Sequence, residues 1–211
     1  LKQWIKFDRV DPNTLQIRPK KENIEGIDVL YKDPLLVVID KPHGLLSVAS
    51  ETEKHSAHHL LKIHYYPKQV GIIHRLDEGT SGVMLFTFSD LAYQSLKQQF
   101  KEHSIDRYYL GVVEGEFPDK PGTWESYLYE DRTLKVRITE DPKKGEKAIT
   151  HYKKLKSCDG YSLVQFKLET GKKNQIRVQT AAAGFPIGGD KKYGATKDPL
   201  RRLALHAESL E

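Results

Sequence analysis

The apolar positions of this chain fall in short runs separated by turn residues, a punctuation that predicts many strands and few helices. LLVVID (35–40) is a continuous apolar run of strand length, as expected of a strand buried on both faces, and Lys41-Pro42-His43-Gly44 ends it. GVMLFTF (82–88) and YYLGVVEG (108–115) read as further buried strands. YSLVQFKLE (161–169) alternates, with Val164, Phe166 and Leu168 on one side and Gln165 and Lys167 on the other. Residues 124–149 predict two or three short strands broken at DPKKG (141–145), after a loop over 115–122 that holds two prolines. Helical spacing occurs three times. SAHHLLKIHYY (56–66) has Ser56 as its N-cap. A second helix opens at Ser89 and Asp90 and runs to about His103, with Tyr93, Leu96 and Phe100 on its inner face. NQIRVQTAAAG (174–184) is a helix stopped by Gly184 and Pro186. Strands outnumber helices and do not alternate with them, so the class is α+β and not a regular βαβ succession.

Composition narrows the setting. Of 211 residues, 38% are hydrophobic, enough for a sizeable core, and 30% are charged. The mean hydropathy of −0.60 is that of a soluble protein. No apolar run approaches the roughly 20 residues that span a bilayer, and no secretory pattern opens the chain. The single cysteine, Cys158 in the turn-like KSCDG, has no partner for an internal disulfide, which fits a reducing cytoplasm. Net charge is +5 and unevenly spread: residues 141–202 hold fifteen Lys/Arg against six Asp/Glu. A one-sided basic half is the electrostatic footprint of a polyanion binder. Residues 1–28 are polar and turn-rich, with a turn at Asp11-Pro12-Asn13, and read as an N-terminal extension to a domain over 29–211.

The stretch HRLDEGTSG (74–82) carries the candidate chemistry. Asp77 precedes a run suited to a tight turn, just ahead of a core strand, so its carboxylate sits at a rigid sheet edge. Catalysis favours that placement, because the scaffold fixes the reactive atom. An acidic nucleophile must stay ionised, and a neighbouring cation favours the charged form. The plainer alternative is an aspartate that caps the turn or pairs with Arg75.

In order along the chain stand LLVVIDKPHGLLSV (35–48), HRLDEGTSGVMLF (74–86), RYYLGVVEG (107–115), LETGKKNQIRVQ (168–179), GFPIGGDKKYG (184–194) and RLALHA (202–207). With these segments the sequence resembles the RluA-type RNA pseudouridine synthases from about Val29 to Leu210. The resemblance implies the α+β pseudouridine synthase fold, a mixed and mostly antiparallel sheet with flanking helices and a central catalytic cleft. It implies isomerisation of uridine to pseudouridine in structured ribosomal or transfer RNA, by a cytoplasmic monomer without cofactor or metal. Asp77 matches the essential aspartate and Tyr109 the tyrosine that packs on the target base. Arg177 matches the basic residue that pairs with the aspartate. Arg75 matches the arginine that fills the gap left by the displaced base, and Ile176 an apolar residue of the base pocket. Lys172, Lys173, Lys191, Lys192, Arg201 and Arg202 are candidate contacts to the RNA backbone. QIRPKKENIEG (16–26) would be the last piece of the small RNA-binding domain that many relatives carry, and relatives usually continue beyond the LHAESL at 205–210.

One departure stands out. Where the family reads G-R-T-H-Q-I-R, this chain has Gly171-Lys172-Lys173-Asn174-Gln175-Ile176-Arg177. Asn174 keeps hydrogen-bonding capacity without a titratable ring, a change expected to alter RNA contacts or the bracing of the loop. Other constellations are weaker. His55, His58, His59 and His64 crowd one helix but lack a matching Cys/Asp/Glu set for zinc. Asp77 and Glu78 are adjacent and diverge, which suits no two-carboxylate glycoside hydrolysis. Two rival functions are a non-catalytic RNA-binding protein of the same fold, which has no reason to keep a carboxylate facing phosphates, and a nucleoside hydrolase, which would want a water-activating pair.

Overall fold

A computed structural model describes residues 22–211, so the turn expected at Asp11-Pro12-Asn13 and most of the expected extension lie outside the described residues. The first half of the chain forms β1 (Asn23–Ile24), β2 (Ile27–Lys32), β3 (Leu36–Lys41), α1 (Ala57–His64), β4 (Gly71–Ile72), β5 (Ser81–Thr87) and α2 (Asp90–Lys101). The second forms β6 (Arg107–Glu114), β7 (Gly122–Glu130), β8 (Val136–Thr139), β9 (Glu146–Cys158), β10 (Tyr161–Leu168), α3 (Gln175–Ala182) and β11 (Leu205–Leu210). Residues 23–28, read from sequence as part of the extension, form β1, a tight turn at Glu25-Gly26 and the start of β2 in the main sheet.

The strands make one sheet in the order β1-β2-β3-β5-β11-β6-β10-β9-β7-β8, with β4 added to β5. Every strand pair is antiparallel except β5 with β11. The alternation in β10 is realised: Val164, Phe166 and Leu168 are buried. β3 differs from expectation. Val37 and Ile39 are fully buried while Leu36 and Val38 are half-buried, because the core cluster lies on one face only. An apolar run does not by itself distinguish a strand covered on both sides from one whose outer face happens to be apolar. Ser56 and Ser89 cap α1 and α2 as expected, their hydroxyls accepting from the His59 and Ala92 amides.

Three core clusters result: one around β1–β5 and α1, a second around β6, β10 and α3, and a smaller one of Leu128, Val136, Ala148 and Val178; Tyr109 packs against the first two. β11 lies between those two. Its parallel pairing with β5 sets Ala207 beside Gly82, the last residue of the HRLDEGTSG stretch. Gly82 has φ of 118°, and a Cβ there would sit 2.1 Å from the Ala207 carbonyl oxygen, so no other residue allows this approach. On the second half, two buried glutamines one helical turn apart tie α3 to the sheet. Gln175 donates to Ile149 O and Thr150 Oγ1; Gln179 donates to Ser126 Oγ and Ala148 O and accepts from Thr150 Oγ1.

His74 couples the approach to the 74–82 loop with β5 and α2. Its Nε2 accepts the Leu85 N–H at 3.1 Å and its ring stacks on Phe100, centroids 5.0 Å apart. Burial, with the Arg107 charge acting in the same direction, pushes its pKa down from 6.5 to about 4. The fold therefore requires the neutral ring. Its stabilisation is complete above pH 6.5 and is lost as pH falls from 6.5 through 4. At about 1.4 kcal/mol per pKa unit the loss is about 3 kcal/mol. Urea unfolding across that interval should show this fall in the wild type, and His74→Gln should remove that part of the pH dependence.

Candidate active site

The loop that carries Asp77 is held by its backbone. Ser47 Oγ donates to Leu76 O at 2.7 Å and accepts from Leu76 N at 3.0 Å. Thr80 N closes the turn onto Asp77 O at 3.0 Å, and Gly44 N donates to Glu78 O at 2.8 Å. Lys41 is completely buried, and its ammonium donates to Pro42 O, Leu45 O and Glu78 O at 2.9, 2.6 and 3.1 Å. Burial draws the Lys41 pKa down to about 8 against the opposing pull of Asp77, Glu78 and Asp40. The two segments 41–47 and 74–80 thus form one cross-tied unit whose polar groups are satisfied internally.

A cavity of about 270 Å³ opens beside this unit, between the two halves of the sheet. Asp77, Tyr109, Ile176 and Arg177 line it together, with Leu205 of β11 among the apolar contributors. The Asp77 side chain is 28% exposed. Its Oδ2 accepts the Asn174 Nδ2–H at 2.5 Å and a longer bond from Arg177 Nη1 at 3.5 Å. Its Oδ1 accepts no hydrogen bond among the described residues. The Asn174 amide is itself oriented: its Oδ1 accepts the Tyr193 O–H at 3.0 Å, and the Tyr193 oxygen accepts the Val136 N–H at 3.3 Å. That chain leaves Asn174 one way to face, with its amide donor toward Asp77. Asn174 reaches this position from a left-handed conformation, φ 53°, at the start of α3.

Five of the residues singled out in the sequence therefore converge or border on one place. Arg75, also on the cavity, is exposed and has no partner among the described residues. Ile176 is buried in the cavity wall. Burial pushes the Tyr109 phenol up to about 12, with Arg107 pulling the other way and Asp77 adding to the rise, so it stays protonated at neutral pH. Arg177 meets Asp77 less closely than expected, because its two short bonds go to the buried Asp190: Nε to Oδ2 at 2.6 Å and Nη2 to Oδ1 at 2.8 Å. Burial opposes the Arg177 charge, but the bonds to Asp190 outweigh it and hold its pKa above the usual guanidinium value.

The candidate backbone contacts divide. Lys172 and Lys173 are engaged with Glu146 and Glu130 in exposed ion pairs, and Lys172 also lines the cavity. Lys191 and Arg201 are exposed, and Lys192 donates to Leu134 O at 3.3 Å. Arg202 departs from expectation. It turns inward to Ser81 Oγ and Leu203 O, bracing the start of β5, because its side chain lies over the β5–β11 junction. The clustered histidines of α1 also diverge: His58 bonds Val70 O and His64 pairs with Glu22. Asp190, Lys41 and the contact of Asn174 with Asp77 escaped the sequence reading. The GGDKKYG segment was the only signal for Asp190 and Tyr193, and nothing local says which helix they meet.

The family described as RNA pseudouridylate synthase matches residues 35–182. Among curated relatives, "Uncharacterized RNA pseudouridine synthase YhcT" of Bacillus subtilis is 35% identical over 192 residues, covering 88% of this chain and 63% of that protein. "Ribosomal large subunit pseudouridine synthase D" of Borreliella burgdorferi is 32% identical over 219 residues, covering 98% of this chain and 66% of that protein. The chain thus spans less than two thirds of each of these two. "Dual-specificity RNA pseudouridine synthase RluA" of Haemophilus ducreyi is 34% identical over 193 residues, covering 87% of this chain and 86% of that protein. Among solved structures, "Human RNA Pseudouridylate Synthase Domain Containing 1" superposes with a TM-score of 0.73 at 23% identity, over 90% of this chain and 80% of that one, and so shares the fold.

The Arg177–Asp190 pair is almost wholly enclosed, the side chains being 14% and 1% exposed. Asp190→Ala leaves a buried guanidinium without its bidentate partner, a loss of about 3–5 kcal/mol. Denaturant unfolding should show a midpoint lowered accordingly.

Proposed function

The chain belongs to the RluA-type RNA pseudouridine synthases, and from that membership we propose that it isomerises uridine to pseudouridine in structured ribosomal or transfer RNA, with Asp77 as the catalytic group. The observation that carries this reading is the asymmetry of the Asp77 carboxylate: Oδ2 is bound by Asn174 and Arg177, while Oδ1 accepts no hydrogen bond among the described residues, on a side chain that lines the cavity with Tyr109 and Ile176. A carboxylate so held presents one oxygen to a reacting centre without a cofactor.

The reaction keeps every atom of the nucleotide except one exchanged proton. The C1′–N1 bond breaks, the base turns while enclosed, and C5 bonds to C1′; the C5 proton leaves to solvent and N1 gains one. A site of about 270 Å³ lies just below the usual range of ligand pockets, which starts at roughly 300 Å³, and suits one pyrimidine. The uridine must leave its stack, at a cost of a few kcal/mol. Stacking on Tyr109 offsets roughly 1–3 kcal/mol of that. Arg75, exposed at the cavity, is placed to occupy the vacated position and touch phosphates. We read the protein as a cytoplasmic monomer that uses no cofactor. Lys172, Lys173, Lys191, Lys192 and Arg201 contact the RNA backbone in this reading. The two lysines with surface ion pairs exchange a glutamate for a phosphate, which costs little because exposed pairs contribute only about 0–1 kcal/mol.

Release of tritium to water from transcripts of large-subunit ribosomal RNA and transfer RNAs, labelled at C5 of uridine, tests the reaction. The wild type should release it. Asp77→Asn should lower the rate at least about a thousandfold, as loss of a reacting group does, with RNA affinity within about threefold of wild type. An Asp77→Asn protein that still turns over would refute the assignment and leave a binding protein as the alternative. Affinity should fall steeply with salt, and each removed lysine contact should lessen the log–log slope by roughly 0.7–0.9. Affinity that ignores salt would remove the basic surface from the interface.

A further inference from the structure

Arg107 opens β6 two residues before Tyr109, so the two side chains leave the same face of the strand and both line the cavity. Its Nη2 donates to Glu169 O at 2.8 Å, while its Nε is buried with no hydrogen-bond partner. It forms no ion pair with any carboxylate of the described residues. The other enclosed cation of the cavity, Arg177, is neutralised by Asp190, and Lys172 is paired with Glu146. Arg107 is a half-buried positive charge with no carboxylate partner among the described residues, its Nε enclosed and its guanidinium packed over the Phe100 ring at 6.0 Å. Burial works against that charge and draws its pKa below the usual guanidinium value. A fold gains nothing from leaving that enclosed N–H unsatisfied, since a buried polar group without a partner is costly. Space is also kept for it: a Cβ on Gly171 would stand 2.3 Å from Arg107 Nη1.

We propose that Arg107 is a further catalytic residue, whose guanidinium meets a ring carbonyl oxygen of the flipped pyrimidine and takes up the negative charge that gathers there during the reaction. The inference rests on the synthase reading above. When the C1′–N1 bond breaks heterolytically, the electron pair stays with N1 and spreads onto O2 and O4. When the carboxylate adds to C6 first, the pair moves to O4. In either order a carbonyl oxygen becomes anionic inside the cavity, and a fixed cation there stabilises it strongly because water is excluded. A phosphate is the less fitting occupant. Arg107 shares the cavity wall with Phe100, His74 and Leu168, whereas Arg75, Lys191 and Lys192 are exposed.

The test is single-turnover tritium release from the same C5-labelled transcripts, with filter-binding affinity at several salt concentrations and a melting curve for each variant. Arg107→Met should slow release roughly a hundredfold, the effect of removing one preorganised donor, while affinity stays within about threefold and the salt slope is unchanged. Arg107→Lys should recover part of the rate. Gly171→Ala, which displaces the end of a flexible side chain and not backbone, should slow release several-fold at a near wild-type melting temperature. Arg107→Met reacting at the wild-type rate overturns the proposal. So does a loss that appears in affinity with a salt slope reduced by about one, which marks a phosphate contact. A wild type that releases tritium while Arg107→Met behaves in either of those ways leaves the synthase reading standing; a wild type that releases none removes both.

Discussion

The approach of β11 to β5 at Gly82 is the constraint on which the rest of this molecule depends. Only two residue pairs are in register along that parallel contact, His206 with Ser81 and Ala207 with Gly82. Through them the sheet of β1–β5 becomes continuous with that of β6–β10, because β11 also pairs with β6 along its length. The glycine that allows this contact ends the loop whose aspartate lines the cavity. One local geometry therefore joins the half-sheets and sets Asp77 of the first opposite Asn174 and Arg177 of the second. A side chain at 82 would separate both at once.

Across that junction the carboxylate is held by unequal partners. Asn174 supplies a short, neutral donor whose orientation is dictated by Tyr193 and, behind it, by the Val136 amide. Arg177 supplies charge at longer range while its strongest bonds are spent on Asp190. This division leaves one carboxylate oxygen tied and the other open. The asparagine that departs from the family pattern is thus in contact with the catalytic candidate itself. The change thus falls on a brace of that carboxylate, where it sets a donor that does not titrate.

The buried polar groups follow a common rule. Lys41 is satisfied by three carbonyls, Gln175 and Gln179 by strand backbone and hydroxyls, and Ser47 by both backbone groups of Leu76. Each replaces lost hydration with hydrogen bonds, and each fixes a loop or helix that borders the cavity. Arg107 breaks the rule, and it does so on the cavity wall, where an incoming base can complete what the fold leaves unfinished.

Much of this was legible in the residues themselves. The apolar runs of β3, β5 and β6, the alternation of β10, the serine caps of α1 and α2, and the turn ahead of β5 are local properties, set by short-range sterics and by side chains meeting water or not. The ordered motifs around Asp77, Tyr109, Ile176 and Arg177 pointed to one chemistry, and the fold brings those four to one cavity. The short strands β1, β2 and β11 were not legible, since LHAESL buries only Leu205 and Ala207 and has no pattern until its neighbours are in place. Nor was the inward turn of Arg202, the claim of Asp190 on Arg177, or the isolation of Arg107. Those depend on which strands become neighbours across a hundred residues of chain, and burial and charge pairing at such sites exist only once the sheet has closed around them.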